Sequence, residues 1–210
     1  MRAWLGDPSS PSFEHDNDVK NAIIGAHTAL RSGATKITAL TGDMTRSEPE
    51  RHHVGGQVSA QTVAALESAQ ATLKSRANAY EATAKEALRD RFAMKADDKW
   101  VYDRWAGFVE REAKNPDGGY ANVSAAIGKH RDLAVVMMKL PPELLGVPSE
   151  QHVRWQTAAV EKWEPEIGDG FQMAQTIRDV ADRYVRITAM VKLNFHSPVI
   201  ASRMKTRVAI

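Results

Sequence analysis

The sequence predicts an all-α protein, an elongated helical bundle of about six helices with one long helix and extended N- and C-terminal arms. Apolar residues recur every three to four positions along most of the chain, which is the period of one helical face. The segments between these rows contain prolines, glycines and polar residues rather than strand-like alternation, and the rows do not repeat one another. We therefore divide the chain into an N-terminal arm (1–18), a helical body (19–193) and a basic C-terminal arm (194–210).

The composition is that of a globular protein without cysteine. Of 210 residues, 43% are hydrophobic and 26% charged, which is sufficient for a buried core. The absence of cysteine excludes disulfides, a thiolate nucleophile and cysteine-based metal sites. The first 14 residues lack the apolar run of a secretory signal, and no apolar run approaches the roughly 20 residues of a membrane span. We expect a protein that is neither exported nor membrane-bound.

The first helix is expected to begin near Val19, where Asp16 or Asp18 can accept a hydrogen bond from a free amide of the first turn. Its apolar positions alternate spacings of four and three: Val19, Ile23, Ala26, Leu30, Gly33, Ile37 and Leu40. Gly33 marks a break or a close contact in this row. The following segment, 42–56, is polar, contains a proline and ends in paired glycines, so it is predicted to be a loop.

The second helix is predicted to be the longest, from Ser59 to about Phe92. One apolar stripe runs through its alanine-rich sequence: Val63, Leu66, Leu73, Ala77, Tyr80, Ala84 and Ala87. More than thirty residues at 1.5 Å each would span on the order of 50 Å, which is why we expect an elongated molecule. Leu66, Leu73 and Tyr80 should face a partner helix, because they share one face of the 3.6-residue period.

The third and fourth helices are predicted on either side of an Asn-Pro-Asp-Gly-Gly turn. The third begins near Asp97 and carries Trp100, Val101, Trp105, Phe108 and Val109 on one side. The fourth covers about 122–140, with an interruption at Gly128. It should end at Pro141 and Pro142, which have no backbone amide to continue it, so that these prolines separate two helices.

The fifth helix is predicted from Ser149, as its cap, to just before Pro165, and the sixth from about Gly170 to Leu193. Large side chains expected in the core are Trp100, Trp105, Trp155, Trp163, Met137 and Met138. A pair of methionines can also form an adaptable contact surface.

The sequence contains no recognisable motif for catalysis, nucleotide binding or metal binding. Gly55 and Gly56 are not followed by the lysine and hydroxyl of a phosphate-binding loop. His52 and His53 lack a second ligand at helical spacing, so a solvated loop pair is favoured over a metal site. Residues 15–18 lack the glycine and glutamate of a calcium loop. We predict a protein that is not an enzyme and has no catalytic, cofactor-binding or metal-binding residues.

Charge is unevenly distributed along the chain. Residues 183–210 contain six basic residues and no acidic one, whereas residues 1–182 contain 22 basic and 26 acidic residues, a net charge of −4. Such asymmetry indicates an anionic partner for the tail, although a solvated helix end followed by an unbound terminus is the simpler alternative. The predicted partner-binding residues are Arg183, Arg186, Lys192, Val199, Ile200, Arg203, Lys205, Arg207, Val208 and Ile210.

Residues 132–150, with the sequence DLAVVMMKLPPELLGVPSE, and the helix after them resemble helical proteins encoded among the structural genes of tailed bacteriophages. In size and organisation the chain is similar to head-to-tail connector proteins of the adaptor class, which form a ring under the portal and anchor through extended termini. The resemblance implies a homo-oligomeric neck or connector subunit of the virion, assembled in the host cytoplasm. It also implies portal or neck proteins as partners and 194–210 as the anchoring arm.

Two hypotheses from other classes stay open. The chain is alternatively a cytoplasmic helical regulator or nucleic-acid-binding protein whose basic tail contacts DNA phosphates. A third hypothesis is an enzyme with a helical active site of unrecognised type. A ring-forming protein should assemble when purified or mixed with its partner, whereas a regulator should stay monomeric or dimeric and bind DNA.

Overall fold

The chain is all-α over residues 5–203, the part that this computed structural model describes. Nine α-helices and no strand occur within these residues, so the predicted fold class is confirmed and the expected number of six helices is wrong. The helices are α1 (Asn17–Gly42), α2 (Glu48–Arg91), α3 (Lys99–Ala113), α4 (Gly119–Ile127), α5 (Arg131–Lys139), α6 (Pro142–Leu145), α7 (Ser149–Trp163), α8 (Pro165–Asn194) and α9 (Pro198–Ser202). Short 3-10 helices cover Pro11–Phe13 and Ala96–Asp98.

The long helix α2 begins before the predicted Ser59, and the loop expected over 42–56 is reduced to the short connection after α1. The backbone amide and hydroxyl of Ser47 both donate to the Glu50 carboxylate, at 2.8 and 2.7 Å. This pairing of a serine with a glutamate three residues later stabilises a helix N-terminus. Pro49 is compatible with this helix start, because backbone amides of the first turn have no intrahelical acceptor and the amide that proline lacks is not needed there.

Breaks in the second half of the chain account for the extra helices. The predicted fourth helix is divided into α4 and α5 beyond Gly128, because His130 has an extended backbone. Leu140 and Pro141 are also extended, so the prolines separate helices as predicted. A single helical turn, α6, follows them and ends at Gly146, whose φ of 65° favours glycine.

The chain divides into two compact units. The first comprises Met1–Ala79 and Met173–Ile210, and the second comprises Tyr80–Gln172. Helices α2 and α8 each contribute residues to both units.

In the first unit, side chains from α1, α2 and α8 form the buried core. Its members include Val19, Ile23, Ala26, Leu66, Leu73, Ala77, Ile177, Ala181 and Tyr184. The predicted burial of Leu66 and Leu73 is confirmed, whereas Tyr80 is only half-buried. Removing each leucine from water contributes on the order of 1.5–3 kcal/mol. Helix α2 also binds α8 directly, because the side-chain amide of Gln70 donates to the Ala181 carbonyl at 3.0 Å.

Asp16 joins the start of α1 to α2. Its Oδ1 atom accepts the Val19 amide at 3.0 Å, as expected for a helix cap. Its Oδ2 atom accepts the Nε and Nη2 groups of the Arg76 guanidinium at 3.0 and 2.9 Å. The carboxylate is therefore paired although Asp16 is only 4% exposed. Such a buried charge is tolerated because it is hydrogen-bonded on both oxygens.

The described part of the N-terminal arm packs onto the first unit, so the expectation of an extended arm over 1–18 is wrong from residue 5 onward. Leu5 and Phe13 are buried. The hydroxyl of Tyr184 donates to the Leu5 carbonyl at 3.1 Å, and the His27 ring meets the Gly6 carbonyl at 3.0 Å. Burial of the two apolar side chains outweighs the polar, proline-containing character of the segment.

Residues 195–197, directly after α8, also pack onto the first unit instead of extending away from it. Phe195 lies so close to α1 that a Cβ atom on Gly33 would stand 2.9 Å from its ring, which confirms the close contact predicted at this glycine. The backbone amide of Ser197 donates to the ring of His52 at 3.0 Å. The interpretation of His52 as part of a solvated loop pair is therefore wrong, since it lies on α2 and is half-buried.

The second unit has a core built around tryptophan. Trp155 is buried and donates its indole N–H to the Ser124 hydroxyl at 2.9 Å, while Trp163 donates to the Ile127 carbonyl at 2.9 Å. Trp100 contradicts the expected core position, because it is 62% exposed. It lies two residues before the buried Tyr102, on the opposite side of the helix.

His152 on α7 is a titratable group inside this core. Only 4% of it is exposed, and its Nε2 atom has no hydrogen-bond partner among the described residues. Burial lowers the pKa of His152 below its ordinary value of 6.5, against opposing effects of the Met137 and Leu140 carbonyls. Burial therefore favours the neutral form of this histidine in the folded protein.

Replacing Gly55 by alanine should destabilise the protein, although alanine is usually the better helix former. A Cβ atom at Gly55 would stand 2.8 Å from the backbone carbonyl oxygen of Phe195, so the backbone must shift. We expect Gly55→Ala to cost about 1–3 kcal/mol in the free energy of unfolding, measured by urea denaturation. Gly25→Ala is the matched control on α1, where a Cβ meets nothing within 4 Å, and should stabilise by about 0.5–1 kcal/mol. Equal effects at the two positions would contradict the close approach.

The free energy of unfolding should fall as the pH is lowered from about 8 to about 5.5, because the unfolded chain protonates His152 while the folded protein resists it. His152→Gln should make this slope shallower. Denaturation at several pH values measures the effect, and His53→Gln, which changes an exposed histidine, is the control. A His152→Gln slope identical to that of the unmodified protein would show that the buried ring does not resist protonation.

Candidate interaction surface

The C-terminal half of α8 exposes large apolar side chains on the side that faces away from the core of the first unit. Val185, Met190 and Leu193 are 58%, 52% and 79% exposed. Val185 and Leu193 are two helical turns apart, and the exposed Ala189 lies between them, so these three residues form one row. Large apolar residues grouped on an exposed face indicate an interaction site more often than isolated ones do.

Arg186 lies beside this row and makes no ion pair among the described residues. Lys192, one turn and a half further on, reaches the Glu67 carboxylate at 3.4 Å. We call the exposed residues Val185, Arg186, Met190 and Leu193 the α8 surface. The α8 surface combines apolar side chains with positive charge and contains no acid.

Helix α9 follows a short bend and contradicts the prediction of an extended arm over 194–203. The Ser197 hydroxyl accepts the Ile200 amide at 3.4 Å, and Pro198 occupies the first helical position. Serine as cap followed by proline favours a helix start, which accounts for the single turn formed here. Val199 is 70% exposed on this turn, whereas Ile200 is half-buried.

The structure places six of the ten predicted partner-binding residues in the first unit. Arg183, Arg186 and Lys192 lie on α8, Val199 and Ile200 on α9, and Arg203 directly after α9. The other four, Lys205, Arg207, Val208 and Ile210, lie outside the described residues.

Sequence reasoning missed the apolar part of the α8 surface. Neither Val185 nor Leu193 is among the predicted core or partner-binding residues. The signal was nevertheless present, because Val185, Ala189 and Leu193 repeat every four residues beside the buried row that contains Tyr184 and Val191. A helix with two apolar rows buries one of them in the core and exposes the other.

The second unit contains a groove of about 550 Å³, which we call the second-unit groove. Leu88, Met138, Val160 and Phe171 form its apolar walls, and Glu161 and Asp169 stand at it as acidic groups. All four apolar side chains are half-buried, and both acidic residues are exposed. Met138 is thus half-buried at the groove, while the neighbouring Met137 is fully buried.

Residues 5–203 contain neither a metal-ligand cluster nor a membrane-spanning helix. No group of three or more histidine, cysteine, aspartate or glutamate side chains there is arranged to hold a metal ion. None of the helices in that range combines the length and the apolar character needed to cross a bilayer.

The packing of residues 195–197 predicts how truncation of the C-terminal arm affects stability. A chain that ends after Leu193 loses the contacts of Phe195 with α1 and of Ser197 with His52, so its melting temperature should fall by several degrees. A chain that ends after Arg203 keeps these contacts and should melt at a higher temperature than the chain that ends after Leu193. Thermal unfolding followed by circular dichroism tests both, and equal melting of the two truncations would contradict the packed segment.

Comparison with known proteins identifies no relative: no protein-family model, no curated protein and no solved structure matches this chain.

Proposed function

We propose that this protein is a non-enzymatic virion structural protein of a tailed phage, a head-to-tail connector subunit that assembles as a ring. The observation that carries the proposal is the α8 surface, where three large apolar side chains are exposed beside an unpaired arginine. Covering Val185, Met190 and Leu193 by a second protein surface would remove them from water and stabilise the complex.

The charge of this surface favours a head-to-tail contact between copies. In a two-fold contact the same patch faces itself, so Arg186 would approach its own symmetry mate and the like charges would repel. A contact with a different and acidic face of the next copy avoids this repulsion, and residues 1–182 have a net charge of −4. Head-to-tail contacts close into a ring when the rotation between successive copies divides a full turn, and the proposal requires such a rotation.

The resemblance to phage structural proteins supports the place of such a ring in the virion. Residues 132–150, which carry the resemblance, form most of α5, the extended Leu140 and Pro141 and the single turn of α6, and reach the start of α7. In this proposal the ring lies at the neck, its partners are portal or neck proteins, and the C-terminal arm 194–210 anchors it.

The alternative is a nucleic-acid-binding protein that uses the basic tail. Arg183, Arg186 and Lys192 on α8 supply cations that phosphates attract. Contact with phosphates would leave Val185 and Leu193 in water, however, so the exposed apolar row favours a protein partner.

Leu193→Glu should weaken self-association of the purified protein at least roughly tenfold, because a charge enters the apolar contact. Its melting temperature should stay the same, since Leu193 is 79% exposed. Sedimentation velocity over a range of concentrations, with and without candidate portal proteins, measures the association. Met44→Glu is the matched control, because Met44 is 86% exposed but lies outside the α8 surface.

The DNA alternative gives a different pattern. It predicts that Arg186→Glu lowers a salt-dependent affinity for duplex DNA, while Leu193→Glu leaves both DNA binding and the oligomeric state unchanged. That pattern, together with a monomeric protein at all concentrations, would overturn the connector proposal.

A further inference from the structure

We infer that the second-unit groove binds residues 204–210 of a neighbouring copy of this chain. This inference rests on the proposed assembly of copies, and it names the acceptor site for the arm that the proposed function describes. It is carried by the shape and charge of the groove and by the sequence of the segment.

The walls of the groove suit apolar side chains. Leu88, Met138 and Val160 pack on the core of the second unit with one side and stay partly in water with the other. Phe171 adds an aromatic wall from the start of α8. A volume of about 550 Å³ lies within the range of sites that take a short peptide or a small ligand. Apolar side chains that enter the groove would bury their own surface and that of the groove walls together.

The charges at the groove select a cationic occupant. Glu161 on α7 and Asp169 on α8 have no ion pair or hydrogen bond with another side chain among the described residues. The nearby Glu164 differs, because it is mostly buried and already pairs with Arg131. Two unpaired carboxylates at an apolar groove repel nucleic-acid phosphates and attract basic groups.

The segment 204–210, Met-Lys-Thr-Arg-Val-Ala-Ile, matches both properties. Lys205 and Arg207 supply two cations for two carboxylates, and the segment contains no acid. Met204, Val208 and Ile210 supply apolar side chains on both sides of the cations. Seven residues reach up to roughly 23 Å, which is sufficient to follow a groove of this size. The segment thus combines a net charge of +2 with three large apolar residues in seven positions.

The direct test measures binding of a labelled peptide with the sequence of residues 203–210. The receptor is the full chain with Lys205→Glu and Arg207→Glu, whose own segment can no longer compete. We expect saturable binding by fluorescence anisotropy. Adding Glu161→Lys and Asp169→Lys to the receptor should weaken it at least roughly tenfold, which corresponds to 1.4 kcal/mol or more. The control receptor instead adds Asp103→Lys and Asp117→Lys, exposed acids of the second unit outside the groove.

The second test uses charge reversal in the assembled protein. Glu161→Lys with Asp169→Lys, or Lys205→Glu with Arg207→Glu, should each reduce assembly in sedimentation velocity. The chain that carries all four changes should recover it, because opposite charges again meet at the groove. The Asp103→Lys and Asp117→Lys chain should assemble like the unmodified protein.

The outcomes separate this inference from the proposed function. Peptide binding that is absent, or equal for all receptors, overturns the groove as acceptor, whatever the assembly state. Peptide binding that depends on Glu161 and Asp169 while charge reversal leaves assembly unchanged assigns the segment to the groove of its own chain and overturns the neighbouring copy. Assembly lost in Leu193→Glu but kept in all groove variants supports the ring and rejects the groove.

Discussion

Where α8 ends, the backbone of Phe195 comes so near to α2 that its carbonyl oxygen occupies the space of a side chain at Gly55, and its ring does the same at Gly33 of α1. Only residues without a Cβ atom permit this approach. It turns the chain back onto the first unit, where Ser197 binds His52 and begins α9. The position of residues 195–197 on the first unit depends on these two glycines.

This constraint also bears on the α8 surface. Helix α8 buries the face that contains Tyr184 and Val191 in the core of the first unit. The row that contains Val185 and Leu193 lies on the opposite face and is therefore exposed to water. Exposed apolar residues of this kind are retained where a partner covers them. The positive charge of Arg186 beside them contributes specificity, since it favours an acidic face on that partner. Stability of the first unit and the proposed assembly thus use opposite sides of one helix.

In the second unit, the buried indole and carboxylate groups have hydrogen-bond or ion-pair partners. Trp155 and Trp163 place their indole N–H groups on a hydroxyl and on a helix-end carbonyl, so that burial leaves neither donor unpaired. Glu164 is paired with Arg131, whereas Glu161 and Asp169 at the second-unit groove have no cationic partner in residues 5–203. A fold that pairs its buried groups and leaves two carboxylates at an apolar groove favours an external cation there.

The sequence alone determined the helical class, the burial of Leu66 and Leu73, an aspartate cap at position 16 or 18 and the separation of helices at Pro141 and Pro142. Periodicity, capping and proline geometry act within a few residues. The start of α2 at 48 has a local cause, the Ser47–Glu50 pair, which the loop prediction overlooked. The sequence did not determine the packed N-terminal segment or the turn after α8. Those depend on contacts between distant residues: Leu5 with Tyr184, and Phe195 with Gly33. Which of two apolar rows on α8 is buried was likewise decided only by tertiary packing, since both rows have the same helical period.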